Sequence, residues 1–312
     1  MKSRAAHHTA STLLIVLWAL LVLTAAILGW AELIQKEIIL DGDANRGVEA
    51  RAMAHSGITV ALNPLVTKFT PLLEHQVTAT QGYRVRIISE GGKLNVRWIL
   101  ENEDPTKITL FKQWLELKGL DLREREILTD CLLDYVDPDN LRRANGVEDQ
   151  GDYHAANRMI QSIDEIARVW GSGPLTRIPG WKDDLTLDSS GPIDITAAPV
   201  ELLRLIPGLG EPRIQRFLQI RQGPDRIDGT ADDYQFKNDN EVMSALGLSP
   251  QQWAALNGGA GPNGQNYPKL VMINDPTQRI ISEGHSGKVI RQVEVVKRQS
   301  GGNNAQILHW KE

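Results

Sequence analysis

The chain has 312 residues, 41% hydrophobic and 23% charged, with 34 Lys and Arg against 39 Asp and Glu for a formal charge of −5. That length allows a membrane anchor plus two compact units, and the acidic balance argues against a dominant nucleic-acid footprint, which needs clustered excess cations. The one cysteine, Cys131, sits among aliphatics in Ile127–Leu133. It reads as a small buried residue, with no intramolecular disulfide and no paired histidine for thiol catalysis.

Lys2 and Arg4 precede an apolar run from Leu13 to Trp30, and Glu32 is the first acid. Eighteen helical residues span about 27 Å, close to the hydrocarbon core of a bilayer. Basic residues ahead of the run keep that end cytoplasmic, so the chain after Glu32 is expected across the membrane. A cleaved secretory signal is the alternative, but its apolar core is usually ~7–15 residues. The exit it would use here, Gly29-Trp30-Ala31, leads straight into sequence that still reads as helix. A small-residue step, Ala10-Ser11-Thr12, lies before the run; cleavage there would remove the charged leader and keep the anchor.

Apolar spacing of three and four continues the helix through Leu40, with a weak point at Asp41-Gly42-Asp43, and resumes from Val48 to Leu62 before Asn63-Pro64. Ala50, Ala54, Gly57 and Ala61 form a small-residue face that allows close approach of another element. Tyr83–Ile88 and Leu94–Ile99, flanking Glu90-Gly91-Gly92-Lys93, predict a β-hairpin whose glycines take positive φ. Helices are predicted over Lys107–Leu117 and Leu122–Tyr135, with Gly119 as a C-cap between them.

Asp134–Asn140 and Gly146–Tyr153 make a dense acidic loop. Packed carboxylates repel unless a cation neutralises them, and oxygen-only ligands favour a hard ion such as calcium, although the spacing is not that of an EF-hand. A solvated acidic turn is the alternative. The same two readings apply, with a weaker case for calcium, to Asp225, Asp228, Asp232 and Asp233 around Gly229. Ser162 and Glu165 have capping-box spacing ahead of Ile166. Ile193–Arg221 resembles a helix-hairpin-helix that packs through Leu202, Leu205, Ile214 and Phe217 around Pro207-Gly208-Leu209-Gly210. Such turns can bind DNA phosphates through backbone N–H groups, but four arginines against three acids leave only +1 here.

A helical stretch, Glu241–Leu256, breaks at Gly247 with Ser249 capping the second part. Strands are predicted over Leu270–Ile273, Lys288–Lys297 and Ala305–Trp310. A helical domain is therefore inserted into a sheet that draws strands from both of its sides. The histidines are scattered, no Ser-His-Asp or paired-His metal spacing is evident, and catalysis is not expected.

This order resembles the K-type minor pseudopilin of type II secretion systems (general secretion pathway protein K) over nearly the whole chain. The resemblance is carried by Thr9–Trp30, Ser89–Val96, Leu133–Asp139 with Gly146–Asp149, Ile163–Ile166, Ile193–Gly208 and the closing strands to Trp310. It implies an α+β fold with a long N-terminal membrane and pilin helix, an antiparallel pseudopilin sheet and a large inserted all-α domain holding a helix-hairpin-helix (SAM-like). The corresponding divisions are leader 1–10, transmembrane segment 11–30, pilin helix and first strands 31–100, helical insert 101–262 and C-terminal strands 263–312.

The resemblance further implies cleavage by prepilin peptidase between Ala10 and Ser11, with alanine standing where the family usually has glycine. Most pseudopilins carry glutamate at the fifth position of the mature chain. Counted from Ser11 that position is Ile15, and K-type members share the lack. A buried glutamate would pair with a neighbouring subunit's N-terminal amine; a subunit without one, carrying a bulky insert, suits the tip of a pseudopilus. Also implied is structural calcium in the insert, carried over to Asp137, Asp139, Glu148, Asp149 and Asp152. The implied setting is a single-pass protein of the bacterial inner membrane with a periplasmic C-terminal domain, partnered by other minor pseudopilins and the secretion machinery. The rival reading is a membrane-tethered helix-hairpin-helix protein for DNA binding or uptake, which the net acidity disfavours.

Overall fold

The structure, a computed structural model, describes residues 6–228, 232–259, 267–300 and 304–312. Lys2 and Arg4 of the expected leader, Gly229, and the expected boundary at 262/263 lie outside them. Helix α1 runs from Ala6 to Leu62, continuous through Gly42 and ending just before Asn63-Pro64. Strands β1 (Glu74–Gln76) and β2 (Gln81–Ser89) follow, then β3 (Leu94–Asn95), α2 (Val96–Leu100), α3 (Pro105–Leu117) and α4 (Leu122–Val136). Next come β4 (Asp149–Gln150), β5 (Tyr153–His154), a 3₁₀ turn at Ile163–Arg168, α5 (Gly173–Thr176), β6 (Leu185–Thr186) and β7 (Ile193–Asp194). The chain closes with α6 (Val200–Leu203), α7 (Glu211–Arg221), α8 (Asp239–Leu246), α9 (Pro250–Leu256), β8 (Val271–Met272), β9 (Thr277–Ser286), β10 (Val289–Ser300) and β11 (Asn304–Lys311).

The strand order β1-β2-β9-β10-β11 makes a five-stranded sheet from both ends of the chain, with β1/β2 and β10/β11 antiparallel. Two compact units share these strands. The first holds residues 1–57, 74–84 and 282–293; the second holds 58–73, 85–281 and 294–312.

In the first unit, the segment Leu13–Lys36 of α1 is long and apolar enough to cross a membrane, and its side chains lie open. Further along, Ala50 and Ala54 are fully buried. The small-residue face has a backbone for its neighbour: a Cβ on Gly284 of β9 would lie 2.1 Å from Ala50 O and 2.2 Å from Ala54 N. Glu49, one residue from that contact, accepts from Ser286 Oγ at 2.6 Å and Gln81 Nε2 at 2.8 Å.

The second unit holds the large core. Asp104 caps α3 ahead of Pro105, and Asp121 with Glu124 forms a capping box on α4. Gly119, at φ +92°, turns the chain between the two helices. Leu110, Phe111, Trp114 and Leu115 of α3 are buried with Leu128, Cys131 and Leu132 of α4. Leu202, Leu205, Ile214 and Phe217 join the same core, with Phe217 stacked on Phe236 at 5.1 Å. Gly247 ends α8 in the left-handed conformation, and Ser249 with Gln252 boxes the start of α9.

The expected hairpin after Tyr83 does not form. Leu94–Asn95 pairs in parallel with β6, and Asn95 then caps α2 by accepting from Trp98 N. Gly91 and Gly92 are not at positive φ. They are required by close approach, since a Cβ on Gly91 would lie 2.3 Å from Asp275 Cβ and one on Gly92 2.7 Å from Ala197 O. The neighbouring Glu90, fully buried, is held by Arg279, Thr186 and Lys93. Burial pushes the Glu90 carboxyl up, but these partners outweigh it and leave it below its usual range.

Asp194 ties the same region together. Its Oδ1 accepts from Thr196 N, Thr196 Oγ1 and Asn274 N, and its Oδ2 from Asp275 N and Ser89 Oγ. β7 and β8 pair in parallel beside it. The C-terminal strands also reach α1: buried Lys297 donates Nζ to Ala61 O at 3.0 Å, satisfying a carbonyl of the helix's last turn. Burial lowers the Lys297 pKa.

Gly284→Ala should cost about 2 kcal/mol or more, because the atoms in its way are backbone. Gly173→Ala, which meets nothing within 4 Å, should stay within about 0.5 kcal/mol of the parent. Thermal unfolding of the detergent-solubilised chain compares the two, and equal midpoints would contradict this packing.

Candidate functional site: an acidic centre at the end of α4

Helix α4 ends in acids. Asp134 lies in its last turn and Asp137 is its C-cap, where the helix dipole already presents negative charge and favours a cation. The loop that follows returns Glu148 to the same place, so that carboxylate oxygens of Asp134, Asp137 and Glu148 lie within 4.8 Å of one another. Asp134 is fully buried and Glu148 is 7% exposed. Gly146 makes the turn fit, since a Cβ there would lie 1.8 Å from Asp134 Oδ2.

One positive group enters the cluster. Arg143 Nη1 lies 2.6 Å from Asp134 Oδ1 and 2.5 Å from Asp137 Oδ2, while Nη2 lies 2.6 Å from Glu103 Oε1. Its backbone N also donates to Asp134. Burial works against the guanidinium charge, and the three carboxylates more than restore it. One cation does not suffice for the cluster. Asp137 Oδ1 and Glu148 Oε1 are buried without a hydrogen-bond partner, as is Asn157 Oδ1, although Asn157 Nδ2 donates to Asp139 O and Asn140 Oδ1. Burial first, then repulsion from neighbouring acids, raises the pKa of both Asp137 and Glu148.

Of the five carboxylates carried over to this site, Asp137 and Glu148 belong to the trio, together with Asp134. Asp139 is exposed and accepts from Leu141 N at 2.8 Å; Asp149 is exposed and pairs with His154 at 2.6 Å; Asp152 is exposed in the β4–β5 turn. Asp134 and Arg143 are the members that sequence reasoning missed. For Asp134 a signal was available: it is three residues before Asp137 and thus on the same helix face; for Arg143 there was none.

The second acidic loop is divided among separate partners. Asp228 pairs with Arg221 and Asp233 with Lys68, while Asp225 and Asp232 bond backbone N–H groups within the loop. Arg221 is itself buried and donates Nη1 to Ala198 O. Of the other arginines in this segment, Arg204 pairs with Glu211 and Arg213 donates to Gly208 O, while Arg216 is exposed. Ala10 and Ser11 lie in the first turns of α1, and Ile15 is exposed on the same helix.

The acidic centre falls within a recognisable segment. Residues 92–176 match the family model for type II secretion system (T2SS), protein K. The match covers these residues and shows that this segment is similar to protein K. The matched segment spans α2 to α5 and so includes Asp134, Asp137, Arg143 and Glu148. The fold agrees: the chain is similar to a chain of "The Crystal Structure of the GspK-GspI-GspJ complex from enterotoxigenic Escherichia coli Type 2 Secretion System". That likeness has a TM-score of 0.57 at 12% identity, covering 89% of this chain and 98% of that one. No curated protein matches this chain.

The family segment also contains the centre's support. Glu165, expected in a capping box with Ser162, instead accepts from Arg158 Nη2 at 2.6 Å, Gln161 N at 2.8 Å and Tyr135 Oη at 3.0 Å. Ser162 caps the 3₁₀ turn alone, through Asp164 N. Burial acts to raise the Glu165 carboxyl, and these three donors overcome it, holding it down to about 2. A folded value below the unfolded one stabilises the protein at neutral pH, and that contribution is lost as pH falls from about 4.5 toward 2. Glu165→Gln should therefore cost about 2 kcal/mol at pH 7, allowing for half-exposed Arg158. The gap between variant and parent should narrow only below about pH 4.5 in denaturant titrations; a gap independent of pH would contradict the assignment.

Proposed function

We propose that this chain is a type II secretion protein K and the tip subunit of a T2SS pseudopilus, anchored in the bacterial inner membrane through Leu13–Lys36 with its sheet and helical part on the periplasmic side. The observation that carries this reading is the match of residues 92–176 to the protein K family model, in a chain whose Leu13–Lys36 is long and apolar enough to cross a membrane. The related solved structure is a complex of GspK with GspI and GspJ, and the partners we assign here are the corresponding minor pseudopilins. Ile15, where other pseudopilins offer a glutamate, leaves no acid to receive the amine of a further subunit. This suits a terminal position. With Arg204, Arg213 and Arg221 engaged within the chain, the segment gives little support to DNA binding.

Prepilin processing tests the assembly role. Mass spectrometry of the chain extracted from its host membrane should find a mature N-terminus at Ser11, dependent on prepilin peptidase. An intact leader, or a soluble chain trimmed beyond Trp30, would overturn it.

The acidic centre is read as a structural calcium site. The donor set is oxygen only, and buried oxygens of Asp137 and Glu148 have no partner, which fits a hard divalent ion. Asp137 and Glu148 would hold the ion, with Asn157 offering an amide oxygen nearby. When bound, the ion supplies charge neutralisation and holds the loop to α4. Calcium at about one hundred times its Kd would add about 2.7 kcal/mol, or roughly 5–10 °C in melting temperature. Glu148→Gln should abolish most of that increment, and a chelator that leaves the parent's melting unchanged would remove the calcium reading.

A further inference from the structure

We propose that Arg143 is a resident counter-ion of the acidic centre, a built-in cation that keeps the loop formed when no metal is bound and limits the site to one divalent ion. The inference deepens the calcium reading and rests on it for the identity of the ion.

Asp134 is closed to a metal. Its carboxylate is fully buried, takes the Arg143 backbone N and Nη1, and abuts Gly146 where no Cβ could fit. Asp137 is divided: Oδ2 faces Arg143 at 2.5 Å, while Oδ1 is buried without a partner. Glu148, 7% exposed, likewise has Oε1 without a partner and within reach of the Asp137 and Asp134 oxygens. The guanidinium thus fills one side of the cluster and leaves a set of open oxygens on the other. The charges agree. Within the trio, with the guanidinium's further partner Glu103 half-exposed to solvent, three carboxylates less one guanidinium leave two negative charges, which a single divalent ion neutralises and a second would overshoot. A fork-shaped guanidinium can serve Asp134, Asp137 and Glu103 at once; a single ammonium is a point charge without that fixed geometry.

The test uses the detergent-solubilised full chain, its Arg143→Gln and Arg143→Lys variants, calcium equilibrium dialysis, and melting in chelator or in millimolar calcium. Without its internal cation, R143Q should melt at least 5 °C below the parent in chelator, bind calcium at least tenfold more tightly, and recover to within about 2 °C of the parent when saturated. R143K keeps the charge and should bind calcium within about threefold of the parent. A deficit in R143Q that is the same with and without calcium, or an unchanged affinity, would overturn the counter-ion role while leaving calcium binding intact. Failure of R143Q to fold even with calcium would overturn it as well. If the parent takes up no calcium, the calcium reading fails on its own; uptake gained by R143Q would then still uphold Arg143 as the resident cation, and no uptake by R143Q would overturn both.

Discussion

Buried negative charge must be answered by buried positive charge or by donated hydrogen bonds, and the second unit is organised around that constraint. Asp134 and Asp137 place two carboxylates where α4's own dipole is least hospitable to them. Arg143 answers part of this from the loop, and its reach to Glu103 draws in the segment ahead of α3. Farther along, Glu165 joins Tyr135 of α4 to Arg158 and the Gln161 backbone. Each acid thus fixes a loop to a helix end in a part of the chain with few long regular elements.

The same logic works around Asp194 by different means. Asp194 needs no arginine: backbone N–H groups of Thr196, Asn274 and Asp275 with two hydroxyls solvate it. Asp275 in turn accepts from Ser190 N and Thr277 N. Glu90, by contrast, depends on Arg279, so the charge of the turn after β2 is matched from sequence-distant β9. Burial still holds the Asp194 carboxyl above its usual range, since neutral dipoles compensate desolvation less completely than a full charge.

Much of this was legible in the residues. The anchor, the α3 and α4 helices, the break at Gly247 and the last two strands, β10 and β11, follow from apolar period, caps and glycine. Strand β9 did not announce itself, because its buried face is Thr277, Ser282, Gly284 and Ser286 with Ile280 the one large apolar side chain. Small residues there make room for the α1 backbone, so no hydrophobic alternation exists to be read. The segment after Gly92 misled for the opposite reason: Val96, Trp98 and Ile99 look like strand, but the Asn95 cap and tertiary burial of Val96 and Ile99 favour a helical turn. At the acidic centre, composition indicated unbalanced charge and the resemblance supplied ligands. Which acids converge depended on the path of the loop, and the part played by Arg143 could be seen only once that path was known.

The sheet order has a consequence for how the chain is made. β2 ends at Ser89 and its partner β9 begins at Thr277, so on the order of 190 residues are synthesised before that edge of β2 can be covered. At ribosomal speeds this is a delay of roughly 10–40 seconds. Throughout it, β1 and β2 carry an open row of backbone donors and acceptors, the kind of edge that recruits stray strands. Arg84 and Arg86 on β2, with Glu74 and His75 on β1, make that waiting ribbon polar. Such charge defends a nascent edge against aggregation until the last tenth of the polypeptide arrives.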